Sequence, residues 1–450
     1  MVPTITEALR RVKDDLSHLL RPDTIAALCR ACGHEWRERL LDPVTTIHLF
    51  ALQILHGNTA CAHLPHLSNL LFTASGYCQA RARLPLEVLR KLLEEVCAAL
   101  QPATQASERW HGHRTFLIDG SGFSMPDTPA LQREFGQPGG QKPGCGFPVA
   151  RMLALFHVGT GMLMNVLTAP LRSHDLVQIA TTHAELQAGD LLVADRGFCS
   201  YAHLGLLFLR KVEAVLRMNA RQIVDFTSGR RHVVPGKDPL ERGVPRSKWL
   251  RRLGVTDQLV EWFKPQDCPP WLTPDQFAAL PASLLLRELR YRVARPGFRS
   301  SAITLVTTLL DSELYSAKEL TELYHLRWRV ETNLAHLKTS MRMDILHCHS
   351  VAGVKRELMM FALIYNLVRL VMLAAAHRQK VDVHRISFID ALRWLASAKS
   401  SQALPWLVVN SHRPNRVEPR AIKRRYIEYD FLTRPRHELR KLLMDKGVPA

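Results

Sequence analysis

The chain of 450 residues is long enough for two or three domains with a sizeable hydrophobic core, and its 47% hydrophobic and 22% charged residues are typical of a folded protein. The charge is unusual, because 60 Lys and Arg against 41 Asp and Glu give a formal net charge of +19. Such a surplus indicates a polyanionic partner, and nucleic acid is the first candidate. An anionic membrane surface is the alternative, but no stretch has the pattern of a basic amphipathic anchor.

The nine cysteines are scattered and odd in number, which indicates a reducing compartment and excludes a disulfide framework. The first residues, MVPTITEALRRVKDDL, are charged from the start and lack the apolar run of a signal peptide. The apolar run over 359–376 is long enough to suggest a membrane span, but Asn366 and Arg369 interrupt it and favour a buried core helix. We expect a soluble, cytoplasmic protein, associated with a prokaryotic nucleoid and with no membrane.

Helical periodicity dominates the first part of the chain, in segments such as ITEALRRVKDDLSHLL, PVTTIHLFALQILHG and PLEVLRKLLEEVCAAL. Short breaks of Gly, Asn and Pro join these segments. The pattern predicts an all-helical N-terminal domain over residues 1–105, which we expect to bind DNA.

Apolar, strand-like runs follow. They are TFLI before Asp119, two runs around the Gly-Thr-Gly turn at 159–161, LLVA before Asp195, and VEAVLRMN. Residues 222–300 are irregular, basic and rich in Pro, and their short alternating runs predict a β-rich insertion. The strand AITLVTTLL, three apolar helices and a basic tail over 401–450 complete the chain. We predict a mixed α/β domain over 110–400.

Two acids stand where apolar runs stop. Asp119 follows TFLI, where the chain is predicted to turn, and Asp195 follows LLVA. Functional sites gather at the strand ends of α/β sheets, because the backbone there holds a side chain rigidly at the edge of the core. Each acid alone is equally well explained as a turn-forming Asp.

The stretch YHLRWRVETNLAHLK over 324–338 carries one acid among basic and aromatic residues. SAKE at 316–319 predicts a capping box that opens a single helix through this stretch. At about 100° per residue, four side chains share a sector of about 60° beside an apolar stripe. They are Tyr324, Arg327, Glu331 and Lys338. The plain alternative is a solvated face with an Arg–Glu pair.

Three carboxylates together have a chemical use. Mg²⁺ prefers carboxylate oxygens, with phosphate and water completing its shell. Two such ions about 4 Å apart can activate a water or a 3′-hydroxyl and stabilise the leaving oxygen in a displacement at phosphorus. We therefore predict Asp119, Asp195 and Glu331 as catalytic metal ligands.

The basic neighbours of Glu331 complete this interpretation, since acids alone would repel DNA. Arg327 and Lys338 would hold the scissile and neighbouring phosphates. Tyr324 would form a hydrogen bond or stack beside them.

The spacing Y-x2-R-x3-E-x6-K in this helix resembles the signature of the insertion-sequence-four family of DDE transposases. LIDGSGFSMPDTP around Asp119 and VADRGF around Asp195 resemble that family's first and second acidic motifs, in the same order. NTACAHL and CQARARLPLEVLRKLL resemble its N-terminal region, so the resemblance covers most of the chain.

The resemblance implies an RNase H-like catalytic domain, with Asp119 on its first strand, Asp195 just after its fourth, and Glu331 on a helix after a β-rich insertion. It implies a DNA transposase of an insertion sequence that binds terminal inverted repeats of double-stranded DNA and pairs the ends as a homodimer. Such an enzyme acts as an endonuclease with Mg²⁺, for which Mn²⁺ substitutes, and joins the 3′-ends to target DNA in cut-and-paste recombination.

The chain departs from the family at one position. Well-studied relatives carry a Trp on the strand before the Glu helix, and it stacks on a flipped base during hairpin formation. AITLVTTLL has no aromatic residue, so Trp249 or Trp262 of the insertion would have to substitute, although both are more typical of packing residues. The pattern for hairpin chemistry is therefore incomplete.

Other motifs are weaker. CRACGH and CAHLPH are too sparse for a zinc finger, and we expect no zinc. FGQPGGQKPGCGF lacks the spacing of a phosphate loop, and we expect it near the site with Lys142 on DNA. Asp127 and Asp190 stand in turn contexts and are interpreted as structural.

Two other functions stay open. A different RNase H-like nuclease would cut by DNA structure and would never join a 3′-end to a target. A non-catalytic DNA-binding protein descended from a transposase would bind without cutting, although all three acids and all four signature residues are intact. No nucleophile elbow or catalytic triad favours a general hydrolase.

Overall fold

The computed structural model describes residues 20–98, 109–171, 178–219, 221–234, 236, 241–292, 302–397, 403–411 and 432–445. The first predicted helix, except its last residue Leu20, lies outside these ranges, and so does most of the basic tail.

The described helices are α1 (Pro22–Ala31), α2 (Pro43–Leu55), α3 (Leu64–Ser68), α4 (Ala74–Arg83), α5 (Leu86–Ala98), α6 (Pro129–Phe135), α7 (Ile179–Thr182), α8 (Tyr201–Leu209), α9 (Pro274–Ala278), α10 (Ala317–His325), α11 (Trp328–Ala335), α12 (Val351–Gln379), α13 (Phe388–Ser397) and α14 (Arg436–Asp445). A π-helical turn, His336–Ser340, follows α11. Short 3-10 turns span Cys61–His63, His183–Glu185 and Val383–Arg385.

The described strands form one sheet in the order β3-β2-β1-β4-β5-β9-β8-β7-β6. Their bounds are β1 (Thr115–Ser124), β2 (Val149–His157), β3 (Leu163–Pro170), β4 (Leu191–Ala194), β5 (Glu213–Arg217), β6 (Ser247–Gly254), β7 (Asp257–Phe263), β8 (Ser283–Arg292) and β9 (Ala302–Thr307). The neighbours β1, β4 and β5 are parallel, and the other pairings are antiparallel. The predicted mixed α/β fold is confirmed, and the strands of the predicted insertion, β6 to β8, extend the same sheet.

Alternate side chains of the central strands face two separate cores, as the two-residue period of a strand requires. Ile118 of β1 packs in a cluster with α8. Leu117 of β1 and Val193 of β4 pack in the larger cluster with α10, α11 and α12. Asp119 comes two residues after Leu117 on the same strand, so the strand period directs it toward the helices that carry the signature residues. Asp195 directly follows β4, and its charge acts on the pKa of Tyr324 on α10.

Helix α12 is the one helix in the described ranges that is long and apolar enough to cross a membrane, and 89% of its most apolar window is buried within the protein. Its two polar interruptions have partners in the core. Asn366 bonds both backbone groups of Leu163, at 2.8 and 2.9 Å, and Arg369 Nε donates to Thr160 O at 2.8 Å. These bonds fix the β2–β3 turn to the helix, and the predicted buried core helix is confirmed.

The front helices share the core of α12. Apolar residues of α1, α2 and α5, such as Ile25, Phe50 and Leu92, belong to the same cluster as those of α12. A buried bond from Asn58 Nδ2 to Glu357 Oε1, 2.6 Å, also joins the two regions. The predicted domain boundary near residue 105 falls in 99–108, outside the described ranges, and stays a prediction.

Two local predictions are wrong. The predicted turn after Asp119 is absent, since β1 continues to Ser124 by pairing with β2 along its whole length. The predicted single helix is interrupted: the capping box of Ser316 and Glu319 opens α10 as expected, but α10 ends at His325 and α11 begins at Trp328. Trp262 of β7 packs as expected: it is 7% exposed, and its indole donates to a buried Glu288 at 2.9 Å.

Candidate active site

The two strand acids lie side by side at the same edge of the parallel strands. The parallel pairing of β1 with β4 ends at Ile118 and Ala194, and Asp119 and Asp195 are the next residues. The charge of Asp195 acts on the pKa of Asp119, as expected of close neighbours. Sheet pairing therefore brings together two acids that are far apart in the chain.

A local amide fixes each carboxylate. Asp119 Oδ1 accepts from Gly120 N at 2.8 Å, and Asp195 Oδ1 accepts from Gly197 N at 2.7 Å. A Cβ at position 197 would stand 3.1 Å from Asp195 Oδ1, so the Gly of VADRGF leaves room for the carboxylate.

Arg327 connects the strand acids with the helix acid. Its Nη2 donates to Glu331 Oε1 at 3.0 Å, and its Nη1 lies 3.8 Å from Asp119 Oδ2. The Arg327 side chain is 12% exposed, whereas that of Glu331 is 46% exposed. The Arg327–Glu331 pair expected of a solvated helix face is therefore present, but Arg327 also reaches Asp119 on the sheet.

The electrostatics of Asp119 reflect this crowding of acids. Burial raises the pKa of Asp119 to about 6, and the charges of Asp195 and Glu331 act in the same direction. The Gly120 amide and the Arg327 guanidinium oppose them. Cationic charge at this point lowers the energy of the ionised carboxylate, and Arg327 supplies part of it.

Lys338 approaches the same strand from the π-helical turn. Its Nζ donates to Ser121 Oγ at 3.2 Å, and Ser121 stands two residues after Asp119 on the same face of β1. The turn follows α11 directly and moves Lys338 away from the position that a regular helix would give it. The π-helical turn and β1 thus hold Lys338 and Asp119 on the same side of the sheet.

Tyr324 lies deeper than the sequence predicted. The residue is 5% exposed, and the Arg327 guanidinium lies 6.0 Å from its ring centroid. Burial raises the pKa of Tyr324 to about 12. The ring packs in the core beneath Arg327, and its predicted contact with DNA stays a prediction.

A family model described as the transposase DDE domain matches residues 110–367, a range that includes all six predicted site residues. The chain belongs to the transposase DDE domain family. The insertion-sequence-four resemblance is supported by a match to "Transposase InsG for insertion sequence element IS4" of Escherichia coli K12. That match is 26% identical over 377 residues, 79% of this chain and 77% of InsG.

This transposase is similar to two further proteins. "Putative transposase InsZ" of Escherichia coli K12 is 29% identical over 131 residues, which are 29% of this chain and 44% of InsZ. A solved structure of the piggyBac transposase synaptic complex with hairpin DNA has a TM-score of 0.39 at 10% identity, covering 87% of this chain and 78% of the other. A likeness of this extent establishes nothing about the fold of this chain.

The acids of the transposase fit a divalent metal in donor chemistry, since Asp119, Asp195 and Glu331 offer only carboxylate oxygens. Within the described ranges, no three His, Cys, Asp or Glu side chains are close enough together to hold one ion. Arg327 contacts two of the acids, Asp119 and Glu331. To share a metal ion with the two strand acids, Glu331 would therefore exchange its contact with Arg327 for a contact with the metal.

Three further residues near the acids were not identified from the sequence. Ser121 bonds Lys338, and Arg217, at the end of β5, acts through its charge on the pKa of both Tyr324 and Tyr291. The Tyr291 hydroxyl on β8 is buried and has no hydrogen-bond partner among the described residues. The sequence signal for Arg217 is its place at the end of a third parallel strand. The position of Tyr291 depends on how the strands of the insertion pair, which the sequence does not indicate.

The remaining predicted residues lie elsewhere. Asp190 accepts two bonds from Arg114, at 2.8 and 2.6 Å, and Asp127 pairs with Arg436 at 3.3 Å, so both are structural as interpreted. Lys142 is exposed on the glycine-rich loop, and its predicted contact with DNA stays a prediction.

Proposed function

We propose that this transposase cuts DNA at the terminal inverted repeats of its own insertion sequence and joins the 3′-ends to target DNA, by cut-and-paste two-metal phosphoryl transfer. One observation carries the proposal: Asp119 and Asp195 directly follow the last residues that pair the parallel strands β1 and β4, and Arg327, at the junction of α10 and α11, contacts both Asp119 and Glu331. Acids that crowd one another beside a cation are arranged for cations and phosphates rather than for packing.

Asp119, Asp195 and Glu331 would hold Mg²⁺, with Mn²⁺ as a substitute. Bound there, the metal supplies activation of the attacking oxygen and stabilisation of the leaving oxygen. The strand acids are fixed by the Gly120 and Gly197 amides, so their oxygens need little reorganisation. Glu331, the most exposed of the three, is the acid that would complete the set.

Arg327 and Lys338 would bind the phosphates of the cleaved strand. Arg327 would turn from the carboxylates to a phosphate oxygen, which its planar fork also matches. Lys338, held by Ser121 beside β1, would contact a neighbouring phosphate as a point charge. Tyr324 would support Arg327 from below and order the strand through it.

The proposed architecture is an RNase H-like catalytic domain over 110–400, an N-terminal DNA-binding domain over 1–105 and a basic tail over 401–450. The strand order β3-β2-β1-β4-β5, with β1, β4 and β5 parallel, supports the RNase H-like part. A homodimer would pair the two ends. The net charge of +19 supports DNA as the partner and a steep fall of affinity with salt.

A cleavage and joining assay tests the proposal. Linear DNA carrying the gene with its flanks is incubated with purified protein, a supercoiled target plasmid and Mg²⁺, and the products are sequenced. We expect paired breaks at inverted repeats and 3′-ends joined to the plasmid, both lost with EDTA. Breaks without joining would favour a structure-specific nuclease, and binding without breaks would favour a non-catalytic DNA-binding protein. Either result would contradict the proposal.

The matched control is a pair of acid substitutions. Glu331→Gln should lower cleavage by at least about a thousandfold while leaving DNA binding intact. Glu322→Gln alters an exposed acid of α10 that pairs only loosely with Lys318, at 3.9 Å, and should cleave like the unmodified protein. Equal loss in both variants would show damage to the fold rather than to the site.

A further inference from the structure

A cavity of about 510 Å³ opens among the front helices, away from the residues assigned above. The segment 34–39, the first turn of α2 and the last turn of α4 line it. Its volume is that of a small-molecule pocket and accommodates a single nucleotide.

The chain is turned locally to build this cavity. Helix α1 ends at Ala31, and Gly33, with a φ of +68°, reverses the backbone so that its amide bonds Arg30 O at 2.9 Å. Residues 34–38 then run without helix or strand until Asp42 caps α2 by accepting from Thr45 N at 2.6 Å. The stretch thus spans the gap between α2 and α4, and Trp36 within it packs against the main core.

The rim of the cavity is basic. Arg37, Arg39 and Arg83 are exposed, and none of the ion pairs formed by described residues involves them. Glu35 is the one acid in the lining. Because these three arginines form no ion pair with a described residue, their guanidinium groups can donate to the oxygens of a phosphate.

The wall of the cavity is aromatic. Trp36 is half-buried, and the His34 ring stacks on it with centroids 5.9 Å apart and an interplanar angle of 26°. Burial, with a contribution from the Arg83 charge, lowers the pKa of His34, so the imidazole is neutral at neutral pH and presents a donor and an acceptor nitrogen. Flat rings with a neutral polar edge suit a nucleobase.

A buried hydroxyl in the lining lacks a partner. Thr46 on α2 is 1% exposed, and its Oγ1 has no hydrogen-bond partner in the part of the chain that the structure describes. Buried hydroxyls in folded proteins nearly always have a partner, because burial without one is unfavourable. Thr46 is one of the residues that line the cavity, whose volume is sufficient for a group that would make this bond.

We propose that this cavity binds one unstacked nucleotide of a DNA strand, with its phosphates on Arg37, Arg39 and Arg83 and its base edge bonded by Thr46. The inference rests on the DNA binding proposed above and adds a second contact, distinct from the three acids. A free inorganic anion would use the arginines but leave the aromatic wall and Thr46 unused.

Binding of a fluorescein-labelled, mixed-sequence single-stranded oligonucleotide, measured by anisotropy at fixed salt, tests the inference. Thr46→Val keeps the shape of the side chain and should weaken binding by about tenfold. Its control is Thr45→Val, at a neighbouring position outside the lining. Arg83→Ala should weaken binding by about fivefold and reduce the salt slope by about one, whereas Arg90→Ala, on an exposed arginine of α5, should do neither.

A crosslink gives a readout that does not depend on variants. A strand carrying 5-iodouracil should crosslink under ultraviolet light to the peptide that contains His34 and Trp36. Unchanged binding by Thr46→Val and Arg83→Ala, or crosslinks only to other peptides, would overturn the inference and leave the proposed transposase function standing. Failure of the unmodified protein to bind any DNA would overturn both.

Discussion

Arg327 Nη1 lies 3.8 Å from Asp119 Oδ2, so a side chain of the helix junction reaches a carboxylate of the sheet. The same guanidinium donates to Glu331 at 3.0 Å. Arg327 therefore contacts two of the three acids that would hold a divalent cation.

Arg327→Gln should strengthen metal binding in the absence of DNA by about tenfold, because it removes a cation that competes for Asp119 and Glu331. Calorimetric titration with Mn²⁺ measures the affinity. The control Arg329→Gln alters a neighbouring arginine that lies 3.8 Å from Asp382 instead. Equal affinities in Arg327→Gln and unmodified protein would contradict the competition.

Asp119→Asn should stabilise the metal-free protein above about pH 6. The pKa of Asp119 is raised to about 6 in the folded protein, mainly by burial, against an ordinary value of 3.8. The folded state therefore binds this proton more tightly than the unfolded state, and stability is lost as pH rises from about 4 to 6. Asparagine cannot ionise, so the variant should gain about 1–3 kcal/mol at neutral pH and almost nothing near pH 4. Urea unfolding in EDTA at both pH values measures the difference, and a gain independent of pH would contradict this account.

Ser121→Ala should lower cleavage by roughly tenfold, mainly through the turnover rate, because it removes a bond that positions Lys338 beside β1. Lys338→Ala should cost more, since it also removes the phosphate contact. Ser124→Ala, on the same strand, loses only a bond to Asp344 O and serves as the control. The hypothesis fails if Ser121→Ala and Ser124→Ala cleave at the same rate.

Arg287→Met should destabilise the protein by about 3–5 kcal/mol, because it leaves Asp257 buried without its partner. Arg287 is 1% exposed, donates to both Asp257 oxygens at 2.8 and 2.5 Å, and also bonds Tyr315 O at 2.6 Å. Chemical denaturation measures the loss. Arg231→Met breaks an exposed pair with Glu241 and should change stability by less than about 0.5 kcal/mol. Similar losses in the two variants would contradict the structural role assigned to the buried pair.

The parts of the site that local chemistry determines could be predicted from the sequence. Apolar runs before Asp119 and Asp195, and a capping box before the Glu331 helix, depend on short-range patterns, and the structure has a strand at each run and the capping box. Asp119 also faces the predicted helix, because the two-residue period of β1 sets the direction of its side chain.

The parts that depend on distant contacts could not be predicted. Strand β1 continues past Asp119 because β2 pairs with it, and no local signal reports that pairing. The helix break near Arg327 coincides with burial of Tyr324 and with the contact to Asp119, both tertiary. The π turn then shifts Lys338 onto Ser121, which a wheel of uniform period cannot represent.

The most direct test of the shared metal site replaces Mg²⁺ with Fe²⁺ in the DNA-bound protein and maps the cuts that hydroxyl radicals, generated with ascorbate and peroxide, make in the polypeptide. We predict cuts close to Asp119, Asp195 and Glu331, all suppressed by excess Mg²⁺ and by Asp119→Asn. Cuts confined to other segments, or cuts at these three positions that persist in Asp119→Asn, would contradict a metal site built from the three acids.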